Sequence, residues 1–238
     1  MNVVRKIGGA LAAGCTITIK PSEETPGTAI AIGRAFMEAG LPPGVLNIVF
    51  GVPSEVSEYL CSSNIPRKLS FTGSVPVGKH LQKLAAENMI RCTMELGGHS
   101  PLMVFNDTDI EKAAQISVAG KFRNAGQVCV SPTRFLVQDD IKDKFTQAVI
   151  QETNKIKVVN GLEDDTNMGT LIAERRIEVM NDFVKDAIDN GANIEMGGNR
   201  MNRVGSFFSP TVMTGVDDSA KIMNEEPFGP LLPIDTFK

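Results

Sequence analysis

The sequence predicts an α/β protein built on parallel sheets. Short apolar runs rich in β-branched residues alternate with segments of helical periodicity from the first residues onward, and this alternation is typical of parallel strands joined by helices. Glycine, proline and serine stand where helices are expected to end or begin, at Gly40, Pro42, Pro43, Ser54 and Ser74. A chain of 238 residues is long enough for one large domain or two modest ones, each with its own core.

The first part of the chain predicts four helices that alternate with four strands. The predicted helices cover Val3 to Ala13, Thr25–Pro26 to Gly40, Pro53 to about Cys61 and Pro76 to about Asn88. The predicted strands cover Thr16 to Lys20, Val45 to Phe50, Lys68 to Thr72 and Arg91 to Glu95. This order is that of a Rossmann-type dinucleotide-binding lobe.

One strand of that lobe is missing from the pattern. A doubly wound dinucleotide-binding fold begins with a strand that takes the central place in its sheet, whereas this sequence opens directly on a helix. We therefore expect the lobe to lack its first strand. We also expect it to be fragile alone, because each buried ladder group left unpaired costs about 1 to 3 kcal/mol.

A second α/β unit is predicted from Ser100 onward. Its predicted elements are a strand at Leu102–Phe105, a helix from Asp109 to about Phe122, a turn and a second helix just before or around Cys129, a strand at Arg134–Gln138, helices at Ile141–Thr153 and Glu174–Asn190, and strands near Ile194 and Val212. The final run, Leu231–Phe237, reads as a strand that stops without a partner. Gly97 and Gly98 predict a hinge between a lobe over residues 1–98 and a lobe over residues 99–238.

Composition excludes several classes of protein. The net charge of −4, with one Tyr and no Trp, argues against a nucleic-acid-binding protein, which needs basic patches or aromatic platforms. The four cysteines are spaced too irregularly for a zinc site or a secreted disulfide framework, so we expect a reduced, cytoplasmic protein without a metal. No apolar run reaches the ~18 residues that span a bilayer. The basic start followed by residues 7–19 mimics a lipoprotein signal, but the same stretch fits a helix and a strand.

A cysteine and an upstream carboxylate carry the strongest chemical signal. Cys129 ends the run that begins at Phe122, and Glu95, in the run from Met94 to Gly98, lies 34 residues upstream. A thiol attacks a carbonyl only as the thiolate, so a nucleophilic cysteine needs a positioned base. The alternative is a buried structural cysteine and an ordinary surface glutamate. With both motifs present in this order, the chain resembles the NAD(P)-dependent aldehyde dehydrogenase family.

The resemblance implies a set of cofactor contacts. It places Lys20 and Glu23 on the adenosine ribose, Gly73 and Ser74 in the diphosphate-binding turn, and Leu96, Glu226 and Phe228 beside the nicotinamide and its ribose. A carboxylate at Glu23 repels a 2′-phosphate, which favours NAD over NADP. Each motif also has an ordinary explanation, since acidic helix starts, Gly-Ser turns and a Glu-Glu pair before proline are commonly just solvated.

The resemblance also implies a substrate and a reaction. Arg123 and Arg5 match the positions that grip the substrate carboxylate in the succinate-semialdehyde branch, and guanidinium groups recognise carboxylates bidentately; a surface salt bridge is the alternative for each. In the family, the thiolate of Cys129 attacks the aldehyde, hydride leaves to NAD, and Glu95 activates the water that hydrolyses the thioester.

The chain corresponds to about the middle half of a usual family member. An asparagine of the oxyanion site, in a Trp-Asn-Phe-Pro type motif, would fall before Met1, and the loss of such a donor costs ~100- to 1,000-fold in rate. The segments that usually form the homo-oligomer would also lie outside the chain. We therefore expect little activity from this chain alone. Two alternatives stay open: a non-catalytic relative that binds a nucleotide or a partner chain, and a CoA-acylating enzyme, against which Glu95 argues.

Overall fold

The computed structural model describes residues 2–238, which fall into two compact units that divide between Gly97 and Gly98. Both units alternate helices with parallel strands, as the sequence predicts. None of the helices among these residues is long and apolar enough to cross a membrane.

The first unit contains four helices and four strands. The helices are α1 (Asn2–Ala12), α2 (Pro26–Glu38), α3 (Pro53–Ser62) and α4 (Val75–Glu87), and the strands are β1 (Ile17–Ile19), β2 (Leu46–Ile48), β3 (Lys68–Gly73) and β4 (Arg91–Leu96). Proline occupies the first or second position of α2, α3 and α4, where its missing N–H costs nothing and its fixed φ suits the helix. Each predicted element is present, with its ends shifted by at most two residues.

The four strands of the first unit form two separate pairs. β1 pairs with β2 and β3 pairs with β4, both in parallel, and no strand among the described residues joins the two pairs. In a doubly wound sheet of order 3-2-1-4-5, removal of the first strand leaves two parallel pairs of this kind. The α1 helix contacts β1 and reaches β3, since Lys6 Nζ donates to Ser70 Oγ at 2.8 Å.

The second unit is built on one five-stranded sheet of order β5-β6-β9-β8-β7. Its elements are β5 (Ser100–Val104), α5 (Ile110–Phe122), β6 (Pro132–Gln138), α6 (Lys142–Thr153), α7 (Glu174–Asp189), β7 (Asn193–Met196), β8 (Thr211–Thr214), α8 (Lys221–Asn224) and β9 (Leu231–Phe237). Only the β7–β8 pair is antiparallel. Buried side chains from α5, α6, α7 and the sheet form one core, which includes Phe135, Phe145, Met180 and Leu232.

The final strand corrects one prediction. β9 does not stop without a partner: it lies in the centre of the sheet, parallel to β6 on one side and to β8 on the other. Its first four residues are all buried. The run is apolar on both faces because a central strand is covered on both sides.

The segment before Cys129 corrects a second prediction. No regular second helix forms there; residues Arg123–Gly126 make a single 3-10 turn, and Cys129 lies in the turn that follows. The short helix α8 was not predicted, since four residues are too few to show helical periodicity.

Candidate active site

The segment that leads to Cys129 has an unusual backbone. Asn124, Ala125 and Gly126 have φ values of 53°, 54° and 72°, in the left-handed region. Glycine and, to a lesser degree, asparagine adopt this conformation readily, whereas alanine pays a steric cost. Three such residues in succession reverse the chain after α5 and present Cys129 as an exposed thiol. Strain of this kind persists only where the surrounding structure imposes it.

Side-chain hydrogen bonds hold that turn in place. Asn124 Nδ2 donates to the Gln127 carbonyl at 3.0 Å, and Gln127 Nε2 donates to the Asn124 carbonyl at 3.1 Å. Gln127 also reaches a distant loop, because its Nε2 donates to the Thr170 carbonyl and its Oε1 accepts from the Ile172 N–H. The turn is thus fixed to residues more than forty positions away in sequence.

The Glu226 segment packs against the Cys129 segment. An added Cβ on Gly126 would lie 2.1 Å from the Gly229 carbonyl oxygen, so the two backbones meet where only glycine fits. Arg176, on α7, donates to the Pro227 carbonyl at 2.5 Å and to the Phe228 carbonyl at 3.2 Å. Phe228 itself has φ +44° and is 37% exposed. The second unit therefore brings the predicted nucleophile and two predicted nicotinamide-site residues, Glu226 and Phe228, onto two contacting segments; Leu96 lies in the first unit.

Charged groups surround Glu226. Partial burial raises the pKa of its carboxyl, while the Gly98 N–H, Lys121 and Arg176 act in the opposite direction. Burial lowers the pKa of Lys121 to about 7, against the attraction of Glu226. His99 belongs to the same group: its Nδ1 lies 2.5 Å from Thr133 Oγ1, and burial, Arg134 and Lys121 lower its pKa, although the Ile222 carbonyl opposes them.

The predicted ribose contacts lie just after β1 in the first unit. Lys20 Nζ and Glu23 Oε2 form an ion pair of 2.7 Å, in which the lysine is mostly buried and the glutamate is largely exposed. A carboxylate fixed in this way presents acceptor oxygens at the carboxyl end of a parallel strand, which is where α/β folds bind nucleotides.

The predicted diphosphate turn lies between β3 and α4. Ser74 is the N-cap of α4, but its side chain makes no capping bond, so it is available to a ligand together with the first-turn N–H groups. Gly73 pairs with Leu96 across the sheet, and Thr72 pairs with Glu95. A Cβ on Gly78 would lie 2.6 Å from Leu96 Cδ2, so α4 packs closely on β4. These features suit a dinucleotide diphosphate.

Glu95 is an exposed residue near the end of β4. It acts on Lys6 of α1: burial lowers the pKa of Lys6, and the charge of Glu95 opposes that effect. Arg5 is the exposed neighbour of Lys6. Glu95 and Arg5 thus belong to the first unit, whereas Cys129 and Arg123 belong to the second, and the pairing of Glu95 with Cys129 stays a prediction.

Sequence reasoning missed two residues of the second unit, Lys121 and Arg176. Lys121 carried a signal, since it follows Ala114, Ser117 and Val118 at the spacing of one buried helix stripe. Arg176 carried none, because its contacts are with backbone carbonyls about fifty residues away. Among the residues that the structure describes, no three His, Cys, Asp or Glu side chains are grouped closely enough to hold a metal ion.

The fold and these segments define an α/β protein with an exposed thiol on a turn that packs on the segment after Glu226. The model of the aldehyde dehydrogenase family matches residues 1–238. The chain therefore belongs to the aldehyde dehydrogenase family.

Three known proteins illustrate the similarity. The mitochondrial succinate-semialdehyde dehydrogenase of Oryza sativa subsp. japonica is 44% identical over 236 residues, which are 99% of this chain and 45% of that protein. An NADP-dependent enzyme of E. coli has a TM-score of 0.98 at 41% identity, over 99% of this chain and 49% of the other. Betaine aldehyde dehydrogenase of Staphylococcus aureus, solved with NAD⁺, has a TM-score of 0.93 at 41% identity, over 98% and 47%. The chain spans about half the length of these relatives.

Proposed function

We propose that the chain carries the cofactor-binding and nucleophilic parts of an enzyme that oxidises a semialdehyde acid, succinate semialdehyde first among them, to the carboxylate with NAD. The observation that carries the proposal is the contact between two segments: the strained turn that exposes Cys129 packs at Gly126 on the backbone that follows Glu226. A reactive thiol and a ribose-binding carboxylate on adjoining segments suit hydride transfer from a thiol-bound substrate.

The proposed reaction uses two side chains of this chain. The thiolate of Cys129 adds to the aldehyde carbon and forms a thiohemiacetal, whose oxyanion accepts a hydrogen bond from the Cys129 backbone N–H. Glu23 and Glu226 would hold NAD, which would supply the hydride acceptor; loss of the hydride from that carbon would leave a thioester on the sulfur of Cys129. Glu95 then accepts a proton from a water molecule, whose oxygen adds to the thioester carbonyl. The C–S bond breaks, Glu95 returns the proton to the sulfur, the carboxylic acid leaves and Cys129 is again a free thiol.

Cofactor choice is proposed to depend on Glu23. Its carboxylate, paired with Lys20, is suited to accept hydrogen bonds from the two ribose hydroxyls and to repel a 2′-phosphate. The relatives include an NADP-dependent enzyme and a structure with NAD⁺, so the choice must be measured. We expect NAD to raise the melting temperature of this chain and NADP to leave it unchanged. Equal shifts for the two would contradict the role of Glu23.

Substrate choice is proposed to depend on Arg123 and Arg5, which would bind the distal carboxylate. Arg123 is exposed and lies six residues before the thiol. An aldehyde that forms the thiohemiacetal protects Cys129 from iodoacetamide, so protection measures binding without turnover. We expect succinate semialdehyde to protect at a concentration at least ~10-fold lower than butyraldehyde, which has no carboxylate. The Arg123→Met variant should lose this difference and keep its response to butyraldehyde.

Two outcomes would contradict the proposal. Equal protection of Cys129 by the two aldehydes in the wild-type chain would contradict a semialdehyde acid as the substrate class. The absence of any shift with NAD together with the absence of protection would instead favour the non-catalytic alternative, a relative that binds a partner chain. Turnover by the isolated chain is expected to be far below the ~10 per second typical of enzymes.

A further inference from the structure

Lys121 is a charged residue in an apolar place. It lies in the last turn of α5, its side chain is fully buried, and its Nζ has no hydrogen-bond partner among the residues that the structure describes. An ammonium group in this position costs several kcal/mol unless an opposite charge compensates it. This cost is reduced either by an opposite charge nearby or by loss of the proton.

Glu226 is the carboxylate that acts on Lys121. Each affects the other: Glu226 opposes the fall in the pKa of Lys121, and Lys121 opposes the rise in the pKa of Glu226. The other charged groups around the pair are Arg176, which also favours ionised Glu226, and His99, whose pKa Lys121 and Arg134 lower. Among the residues that the structure describes, Glu226 is the carboxylate whose charge acts on the buried Lys121.

The backbone ties Lys121 to both segments of the candidate site. Ser131 Oγ donates to the carbonyls of Gly120 and Lys121, at 3.3 Å and 3.4 Å, so the end of α5 is joined to the residues just after Cys129. The Gly126 contact joins the same stretch to Gly229. Lys121 therefore belongs to a packed and hydrogen-bonded region that includes the Cys129 turn and the Glu226 segment.

We propose that Lys121 is a positioning residue: its buried ammonium keeps Glu226 ionised and directed toward the cofactor ribose. As a statement about cofactor binding this rests on the proposed function. As a statement about the ionisation of Glu226 it is independent of that function, and it is tested without any cofactor.

The first test is a titration of Glu226 by ¹³C NMR of its side-chain carboxyl carbon, with the resonance assigned by its loss in Glu226→Gln. In the wild-type chain we expect, besides the acidic transition of Glu226, a smaller step near pH 7, where Lys121 loses its proton. In Lys121→Met the step should vanish and the acidic midpoint should rise by about one pH unit, because a nearby cation lowers a carboxyl pKa by roughly that much.

A matched control is Lys144→Met. Lys144 is an exposed lysine on α6, and its loss removes the same charge from the surface. It should leave the midpoint of Glu226 unchanged and keep the step near pH 7. Methionine is close in size to lysine, and the exchange of a buried ion for an apolar group is often neutral for folding. If Lys121→Met still fails to fold, the wild-type step near pH 7 decides alone.

The second test measures NADH affinity at two pH values. At pH 8 the NADH affinities of the wild-type chain and Lys121→Met should differ by no more than about twofold, since Lys121 is then mostly neutral. At pH 6 the variant should bind more weakly than the wild-type chain, by at most the tenfold that one pKa unit allows, because apparent affinity falls with the competent fraction. In a Glu226→Gln background, Lys121→Met should have no further effect.

The outcomes separate the two proposals. A wild-type chain that binds no NADH contradicts the proposed function, while the titration still decides the role of Lys121. A Glu226 midpoint that is the same in the wild-type chain and Lys121→Met, or a wild-type titration without a step near pH 7, overturns the inference. Equal weakening by Lys121→Met at pH 6 and pH 8 would mean that the lysine acts only through packing.

Discussion

The α-carbon of Gly126 lies so close to the carbonyl of Gly229 that an added Cβ would stand 2.1 Å from the oxygen. Gly126 also has φ +72°, which side chains disfavour. These two constraints act at one residue, three positions before the exposed thiol of Cys129. The geometry of the nucleophile turn and that of the Glu226 segment are therefore interdependent.

Substitution of Gly126 should destabilise the second unit. We expect Gly126→Ala to lower the free energy of unfolding by ~2–4 kcal/mol, because alanine adds left-handed strain and a collision with backbone, which cannot rotate away. The measurement is the urea dependence of hydrogen exchange at the β9 amides, which lie in the centre of the sheet.

The matched control is Gly120→Ala. A Cβ on Gly120, in α5, would meet Pro132 at an ordinary 3.5 Å, and alanine is favoured over glycine in a helix by ~0.5–1 kcal/mol. Gly120→Ala should be neutral or stabilising. Equal effects of the two substitutions would show that the Gly126 contact does not constrain the fold.

The stability of the protein should depend on pH through Lys121. Its pKa of about 7 in the folded chain is below the ordinary lysine value of 10.5, so between these values the unfolded chain binds more protons and stability rises with pH. Relative to Lys121→Met, the wild-type chain should gain up to ~1.4 kcal/mol per pH unit from pH 7 to 9. Parallel curves for the two proteins, from chemical denaturation at each pH, would contradict this expectation.

The open edge of β1 should be visible in hydrogen exchange. The backbone groups of Ile17 and Ile19 bond toward β2: the Ile17 N–H donates to the Val45 carbonyl, and the Ile19 carbonyl accepts from the Val49 N–H. Because successive residues of a strand bond to opposite sides, the backbone N–H of Thr18 points to the other edge of β1. The Thr18 amide should exchange at nearly the unprotected rate. Amides of β9 should exchange at least ~1,000-fold more slowly. Strong protection of Thr18 would mean that its edge is covered.

Local signals predicted most of the fold. Proline at helix starts and β-branched runs such as Ile17–Ile19 are signals that depend only on residues close together in the sequence. Every predicted helix of the first unit was confirmed. The position of β9 was not predictable in this way, because its partners β6 and β8 lie elsewhere in the chain. The unbroken apolar run at its start, residues 231–234, was the available sequence signal for a central strand.

The sequence predicted the residues of the candidate site but not the contacts that hold them in place. Cys129 and Glu226 lie in sequence motifs that can be recognised without a structure. The left-handed turn at Ala125 is not visible in the sequence, because alanine is a common helix residue and the turn depends on tertiary contacts such as that of Gly126 with Gly229. Contacts such as that of Arg176 with the Pro227 carbonyl depend on tertiary structure alone.

The most direct test of the central claim, that Cys129 is an activated nucleophile, is the rate of iodoacetamide modification of each cysteine at pH 7, followed by peptide mass spectrometry in one sample. Cys15 and Cys129 are both exposed, whereas Cys61 is buried and its burial raises its pKa. We predict that Cys129 reacts at least ~10-fold faster than Cys15, that Glu95→Gln removes the difference, and that Cys61 reacts most slowly. Modification of Cys129 at the same rate as Cys15, or more slowly, would contradict the account.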